Sequence, residues 1–195
     1  MQRWLVVMAK APRAYAVKSR LAKDIGAAEA TRFYRVVLNG LVRRVAGDPH
    51  WQTVLAVAPD RCTREPVWPP GVAVTAQGRG DLGRRMQRVM EALPPGPAII
   101  VGSDIPTIRP PHLREAFRLL DRNDVVIGPA EDGGYWLVGL KRRPVVARIF
   151  AGVRWSTPHA LADTLSNCRR LSVATAATLP DVDGVDDWQR WRRGG

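Results

Sequence analysis

Short apolar runs alternate with segments of helical period along the chain, and this alternation constrains the fold more than any single residue does. Trp4–Ala9, Thr53–Ala58, Val72–Ala76, Ala98–Val101, Asp124–Ile127, Tyr135–Leu140 and Ser172–Thr175 read as strands, being short, largely apolar and bounded by turn-forming residues. Between the first two, Ala30, Phe33, Tyr34, Val37, Leu38, Leu41, Val42 and Val45 recur at helical spacing, with Arg32, Arg35, Arg43 and Arg44 largely off that face and Gly47 as a stop. A second stripe, Leu82, Met86, Val89 and Leu93, follows Asp81 as a candidate cap and ends at Pro94-Pro95-Gly96-Pro97. A third, Leu113, Ala116, Phe117 and Leu120, is opened by Pro110-Pro111. Shorter helices are expected near Pro144–Phe150, over Thr157–Ser166 with Thr157 as cap and Pro158 at the first helical position, and as a turn after Asp183. The pattern predicts an α/β fold: one three-layer α/β/α domain over 1–195 around a mostly parallel sheet.

Composition narrows the function classes. With 46% apolar and 25% charged residues in 195, the chain reads as an ordinary globular domain, which buries roughly 70% of its extended surface on folding. The first apolar run lies between Arg3 and Lys10 and is too short for a signal peptide or a membrane span, so a cytoplasmic protein is expected. Cys62 and Cys168 lack metal spacing and are expected as two reduced thiols. The net charge of +12 invites nucleic acid, yet lysine occurs only at Lys10, Lys18, Lys23 and Lys141, and aromatic residues are not interleaved with the cations as a stacking platform requires. The Arg, Ala, Pro and Gly content instead suggests a GC-rich coding bias. Anionic small substrates are the expected partners, with no nucleic acid.

The polar loops point to where those substrates bind. In open parallel sheets, ligands sit outside the carboxyl ends of the strands, and the suspicious loops of this chain follow its first, third, fourth and fifth strands. Lys10, Arg13, Lys18 and Arg20 cluster in the first and suit a diphosphate, although a solvated basic loop would look the same. Gly78-Arg79-Gly80-Asp81-Leu82-Gly83 either lets backbone approach a ligand or makes a tight strand-to-helix turn. Asp104, at a strand's carboxyl end, is a candidate ligand for Mg²⁺ or Mn²⁺, ions that suit one or two acids plus substrate phosphates, and Asp181 or Asp183 are candidates from the other side. Glu131 and Asp132 lie in a turn too long and too acidic for a plain hairpin; they are candidates for acceptor binding, general base or metal shell. Trp155-Ser156-Thr157 is a candidate wall for the acceptor.

Taken in order, Ala9-Lys10-Ala11-Pro12, Lys18-Ser19-Arg20-Leu21, Gly80-Asp81-Leu82-Gly83-Arg84-Arg85-Met86, Gly102-Ser103-Asp104-Ile105-Pro106, Gly128-Pro129-Ala130-Glu131-Asp132-Gly133-Gly134-Tyr135, Trp155-Ser156-Thr157 and Asp181-Val182-Asp183 resemble a bacterial family of GT-A-fold glycosyltransferase-like proteins. Some members are associated with arsenosugar biosynthesis, and the family is similar to 2-phospholactate guanylyltransferase and other nucleotidyltransferases. The resemblance implies a nucleotide-diphospho-sugar-transferase fold. It puts nucleotide on Lys10, Arg13, Lys18, Arg20, Gly80, Asp81, Gly83, Arg85 and Ser103, metal on Asp104 and Asp183, and the acceptor against Gly133, Gly134, Tyr135 and Trp155. Two departures stand out: Arg13-Ala14-Tyr15 replaces the Pro-Gly step usual in relatives, and Arg84 stands where an acid is common.

These readings converge on a metal-dependent glycosyltransferase-like enzyme with a nucleotide-activated sugar donor and a small-molecule acceptor. Nucleotidyl transfer to a phosphorylated small acid or sugar is the alternative, and a nucleotide-binding protein without turnover is a third. The oligomeric state is left open by the pattern, with a homodimer among the options.

Overall fold

The computed structural model describes residues 1–13, 17–142, 145–182 and 184–194. The strands are β1 (Trp4–Lys10), β2 (Gln52–Ala58), β3 (Ala73–Ala76), β4 (Ala98–Gly102), β5 (Val125–Pro129), β6 (Tyr135–Leu140) and β7 (Val173–Thr175). They pair into one seven-stranded sheet in the order β3-β2-β1-β4-β6-β5-β7. β1 is parallel to β2 and β4, β2 to β3, and β5 to β7, whereas β6 runs antiparallel to both β4 and β5. The expectation of a mostly parallel sheet in a single α/β domain therefore holds. The reversal of β6 follows from the short link after Pro129, since a parallel return needs a crossover of a dozen or more residues.

Pleating sends alternate residues of the central strand to opposite faces. Leu5, Val7 and Ala9 pack with Tyr34, Leu38 and Leu41 of α2 (Ala27–Val45) and with Leu113, Phe117 and Leu120 of α4 (Pro110–Arg122). On the other face, Val6 and Met8 pack with Met86, Val89 and Met90 of α3 (Leu82–Ala92), and α5 (Ala160–Asn167) adds partly buried Leu161. Both sheet faces are thus covered, as the continuous apolar run Trp4–Ala9 of β1 requires. A satellite cluster joins Leu21 of α1 (Leu21–Ile25) and Phe33 to Val182 and to Trp188 of α6 (Val185–Gly194), and so draws the chain's last described segment to the start of α2.

Several local expectations change. The basic loop ends in the short helix α1, set off from α2 by Gly26 at φ +83°. The helix expected near Pro144–Phe150 starts outside the described residues, and 145–150 hold no helix: the stretch is irregular up to a turn at Ile149-Phe150, whose side chains are buried in the cluster on the α3 face. The Thr157–Ser166 helix begins at Ala160 instead. Thr157 Oγ1 accepts from the His159 N–H (3.2 Å) and donates to Arg154 O (2.7 Å), so Thr157-Pro158-His159 forms a turn ahead of the helix. The terminal turn is a full helix, α6. Among the described residues no helix is long and apolar enough to cross a membrane.

Candidate active site

The carboxyl ends of β1 and β4 open onto a cleft of about 440 Å³. Both strand ends are tied to α2 by one phenol. Tyr34 Oη accepts the Lys10 N–H (2.9 Å), contacts Lys10 O (3.2 Å) and shares a hydrogen bond with Ser103 Oγ (2.9 Å). Burial pushes the Tyr34 hydroxyl well above the usual phenol range, and the nearby Asp104 charge adds to the shift, so it stays neutral and serves as a hydrogen-bonding strut.

Asp104 leaves β4 beside this strut. Its Oδ2 lies 3.2 Å from Lys18 Nζ, in a pair with unequal exposure: the lysine side chain is 3% exposed and the carboxylate 48%. Lys18 Nζ also donates to Val182 O (2.7 Å), which connects the first loop to the segment carrying Asp181. The other carboxylate oxygen, Asp104 Oδ1, is buried without a hydrogen-bond partner. The loop that follows is held from behind: Arg44 of α2 donates to Pro106 O (3.0 Å) and Ile108 O (3.2 Å), and Arg109 donates to Pro106 O (2.8 Å).

A second fixture stands after β3. The Gln77 side chain is buried, its Nε2 donates to Ala9 O (2.9 Å) and Ala56 O (2.8 Å), and its Oε1 accepts from Arg85 Nη1 (2.9 Å). Arg85 is thereby presented on the cleft wall by a side chain anchored to two strands. Asp81 is the cap of α3, accepting from the Arg84 N–H (2.8 Å) as expected, and is not part of the cleft lining. Gly83 is a packing glycine: a Cβ there would lie 2.7 Å from Phe150 O and 2.8 Å from the Trp155 ring. Because Gly83 has no side chain, Trp155 can lean over α3 and form part of the wall.

The far wall comes from the β5–β6 link. Asp132 Oδ1 accepts the Gly134 N–H (2.9 Å), an Asx turn that folds the link toward the cleft. Gly133 at φ +83° packs on Pro158, where a Cβ would meet Pro158 O at 2.4 Å, and its carbonyl accepts from the Leu161 N–H (3.1 Å). Tyr135 enters β6 with its hydroxyl against Thr164 Oγ1 (3.3 Å) and its ring edge-on to Trp155 (centroids 6.2 Å apart). Burial raises the Tyr135 hydroxyl as it does that of Tyr34.

The cleft therefore gathers Lys10, Lys18, Arg85, Ser103, Asp104, Asp132, Gly134, Tyr135 and Trp155, together with Asp181. Arg13 is turned to an ion pair with Glu65 and, with Arg20, Gly80, Glu131 and Gly133, is not part of the lining. Asp183 lies outside the described residues, as do Ala14 and Tyr15 of the altered first loop. The described residues contain no group of three or more His, Cys, Asp or Glu arranged around a metal position. The donor set still fits Mg²⁺ or Mn²⁺, because those ions use one or two carboxylates plus ligand phosphates, and Asp104 offers a buried oxygen that nothing else satisfies. Two residues are not legible from the sequence: Gln77, which looks like one loop residue among several, and Tyr34, whose spacing marks only the apolar helix face although its hydroxyl ends between two site strands.

The fold is of the nucleotide-diphospho-sugar-transferase type. The chain belongs to the family described as "Uncharacterized protein conserved in bacteria (DUF2064)", which matches residues 41–157. Among solved structures it is similar to a provisionally described nucleotide-diphospho-sugar transferase from Desulfovibrio desulfuricans G20, at 28% identity and a TM-score of 0.90, over 99% of this chain and 87% of that one. The fold also matches Rv0371c from Mycobacterium tuberculosis H37Rv in complex with manganese (17% identity, TM-score 0.58, 100% of both chains). It matches CMP:2-keto-3-deoxy-manno-octonic acid synthetase complexed with CTP as well (14%, TM-score 0.63, 99% and 98%). No curated protein sequence matches the chain.

Proposed function

We propose that the cleft transfers a sugar from a nucleotide-activated donor to a hydroxyl of a small acceptor, with Mg²⁺ or Mn²⁺ held by Asp104. The observation carrying this reading is the meeting of Lys18 and Asp104 at 3.2 Å inside the cleft, a cation and a metal-type acid brought together from distant points of the chain. The likeness to the Desulfovibrio protein supports it.

Lys10, Lys18 and Arg85 supply positive charge for the donor's diphosphate, and Arg85 is pre-oriented by Gln77, so little ordering remains to be done on binding. As the bond from the anomeric carbon to the diphosphate breaks, negative charge grows on the departing oxygen. The Lys18 ammonium is well placed to stabilise it, being almost wholly withdrawn from water. A bound divalent ion would add charge neutralisation on the same phosphates. Asp132, whose Oδ1 already accepts the Gly134 N–H, has Oδ2 left to accept the proton of the attacking hydroxyl. Glu131, outside the lining, is given no part in the step. Tyr135 and Trp155 form an aromatic corner against which an acceptor ring would stack.

Nucleotidyl transfer remains the second reading, because the same three cations suit a triphosphate whose α-phosphorus is attacked by a phosphorylated acceptor. Product analysis separates the two. Incubation with sugar nucleotides, Mg²⁺ or Mn²⁺ and an acceptor panel is expected to release nucleoside diphosphate. Pyrophosphate release from a nucleoside triphosphate, with no cleavage of sugar nucleotides, would install the second reading in place of the first. Calorimetric nucleotide binding without either product would leave a binding protein.

A further inference from the structure

We infer that Lys18 is a resident cation that keeps a divalent metal off Asp104 until nucleotide phosphates draw the ammonium away, so that metal and nucleotide bind as a coupled pair. The inference rests on the reading of Asp104 as the metal-holding acid.

The Lys18 ammonium is 3.2 Å from Asp104 Oδ2 and 2.7 Å from Val182 O. It therefore sits between the end of β4 and the segment carrying Asp181, the two places from which the cleft's candidate metal carboxylates come. The position is enforced. The side chain is 3% exposed, and the backbone adopts φ +49°, a left-handed conformation that a non-glycine residue keeps only where its surroundings over-determine it. A divalent ion brought to Asp104 would meet a positive charge a few ångströms away in a poorly solvated corner. A phosphate changes that balance, since it offers the ammonium charge-assisted hydrogen bonds and frees Oδ2 to act beside the unsatisfied Oδ1. Linkage then makes the effect reciprocal: metal favours nucleotide as much as nucleotide favours metal.

Mn²⁺ titration of the nucleotide-free protein, followed by the electron paramagnetic resonance of free Mn²⁺, tests this directly. Lys18→Gln keeps a donor for Val182 O while removing the charge, and is expected to bind Mn²⁺ at least about tenfold more tightly than wild type. Lys18→Arg retains the charge and is expected to stay close to wild type. The gained binding should vanish in Lys18→Gln/Asp104→Asn. Equal Mn²⁺ affinity in wild type and Lys18→Gln overturns the inference. Should Lys18→Gln fail to fold, wild type still decides: stoichiometric Mn²⁺ binding without nucleotide that Asp104→Asn removes would overturn it and leave Asp104 standing as a metal ligand. Absence of Asp104-dependent Mn²⁺ binding in every protein, with and without nucleoside diphosphate, overturns the metal reading itself.

Discussion

The two walls of the cleft are built differently. Around Asp104, strand ends are locked by buried polar side chains: Tyr34 ties β1 to β4, Gln77 ties β1 to β2, and Arg44 holds the loop beyond Asp104. Around Asp132, the wall is a turn, a strand start and an aromatic corner, and its carboxylate is exposed. The contrast teaches a division of labour. On the proposed reading the rigid frame would meet phosphate and metal and the surface link the second substrate; exposed positions of that link tolerate change more readily than Gly133, where a Cβ would meet Pro158 O at 2.4 Å.

The comparison is broken most severely at Asp104. Asp104→Asn is expected to lower turnover by about a thousandfold, the scale seen when a preorganised electrostatic group is lost, and to lower the unfolding temperature as well, because Lys18, 3% exposed, loses its counter-charge. Steady-state kinetics beside a melting curve would check both halves. An equal loss at Asp132 would mean that the two walls do not differ as described. Gly83→Ala couples the walls: its methyl would intrude on Phe150 O and the Trp155 ring, and a loss of about 1–3 kcal/mol in denaturant unfolding is expected, with a raised KM for acceptor. Asp132→Ala removes the Asx turn and the proposed base. It should reduce kcat/KM by tenfold or more and leave nucleotide binding, read by calorimetry, unchanged.

Alkaline titration gives the smallest and most discriminating effect. Tyr34 and Tyr135 both have folded-state values raised above the unfolded one, so in each case the folded chain keeps a proton that the unfolded chain loses. Their contribution to stability is therefore fully present below about pH 10 and falls as pH rises beyond it. Tyr34→Phe and Tyr135→Phe should each flatten that decline in pH-dependent unfolding. Only Tyr34 is also raised by the Asp104 charge, so Asp104→Asn should bring one tyrosinate absorbance step to lower pH and leave the other in place.

Much of this arrangement was legible in the residues. Apolar runs punctuated by glycine and proline gave the strands, helical spacing gave α2, α3 and α4, and an acid at the end of an apolar run gave Asp104. What escaped was reach. Periodicity reports which face a residue occupies, and so Tyr34 counted as core; it does not report that a phenol extends past that core to the strand ends. Gln77 carries no local signal, because its value lies in two carbonyls from different strands. Conversely, Gly83 and Asp81 had the composition of a phosphate loop, yet one makes room for Trp155 and the other caps a helix. Short motifs cannot separate those uses. The irregular course of 145–150 is not legible locally, because burial of Ile149 and Phe150 overrides helical propensity.

The reversal of β6 carries a further consequence. Since β5 ends and β6 begins at the same rim, the link 130–134 is anchored at both feet on neighbouring, hydrogen-bonded strands. Residues could be inserted between those feet without re-threading the sheet, lengthening or shortening the lip over the cleft while the Asp104 end stays as it is. Homologues with one nucleotide preference and divergent second substrates should thus differ first in the size of this lip.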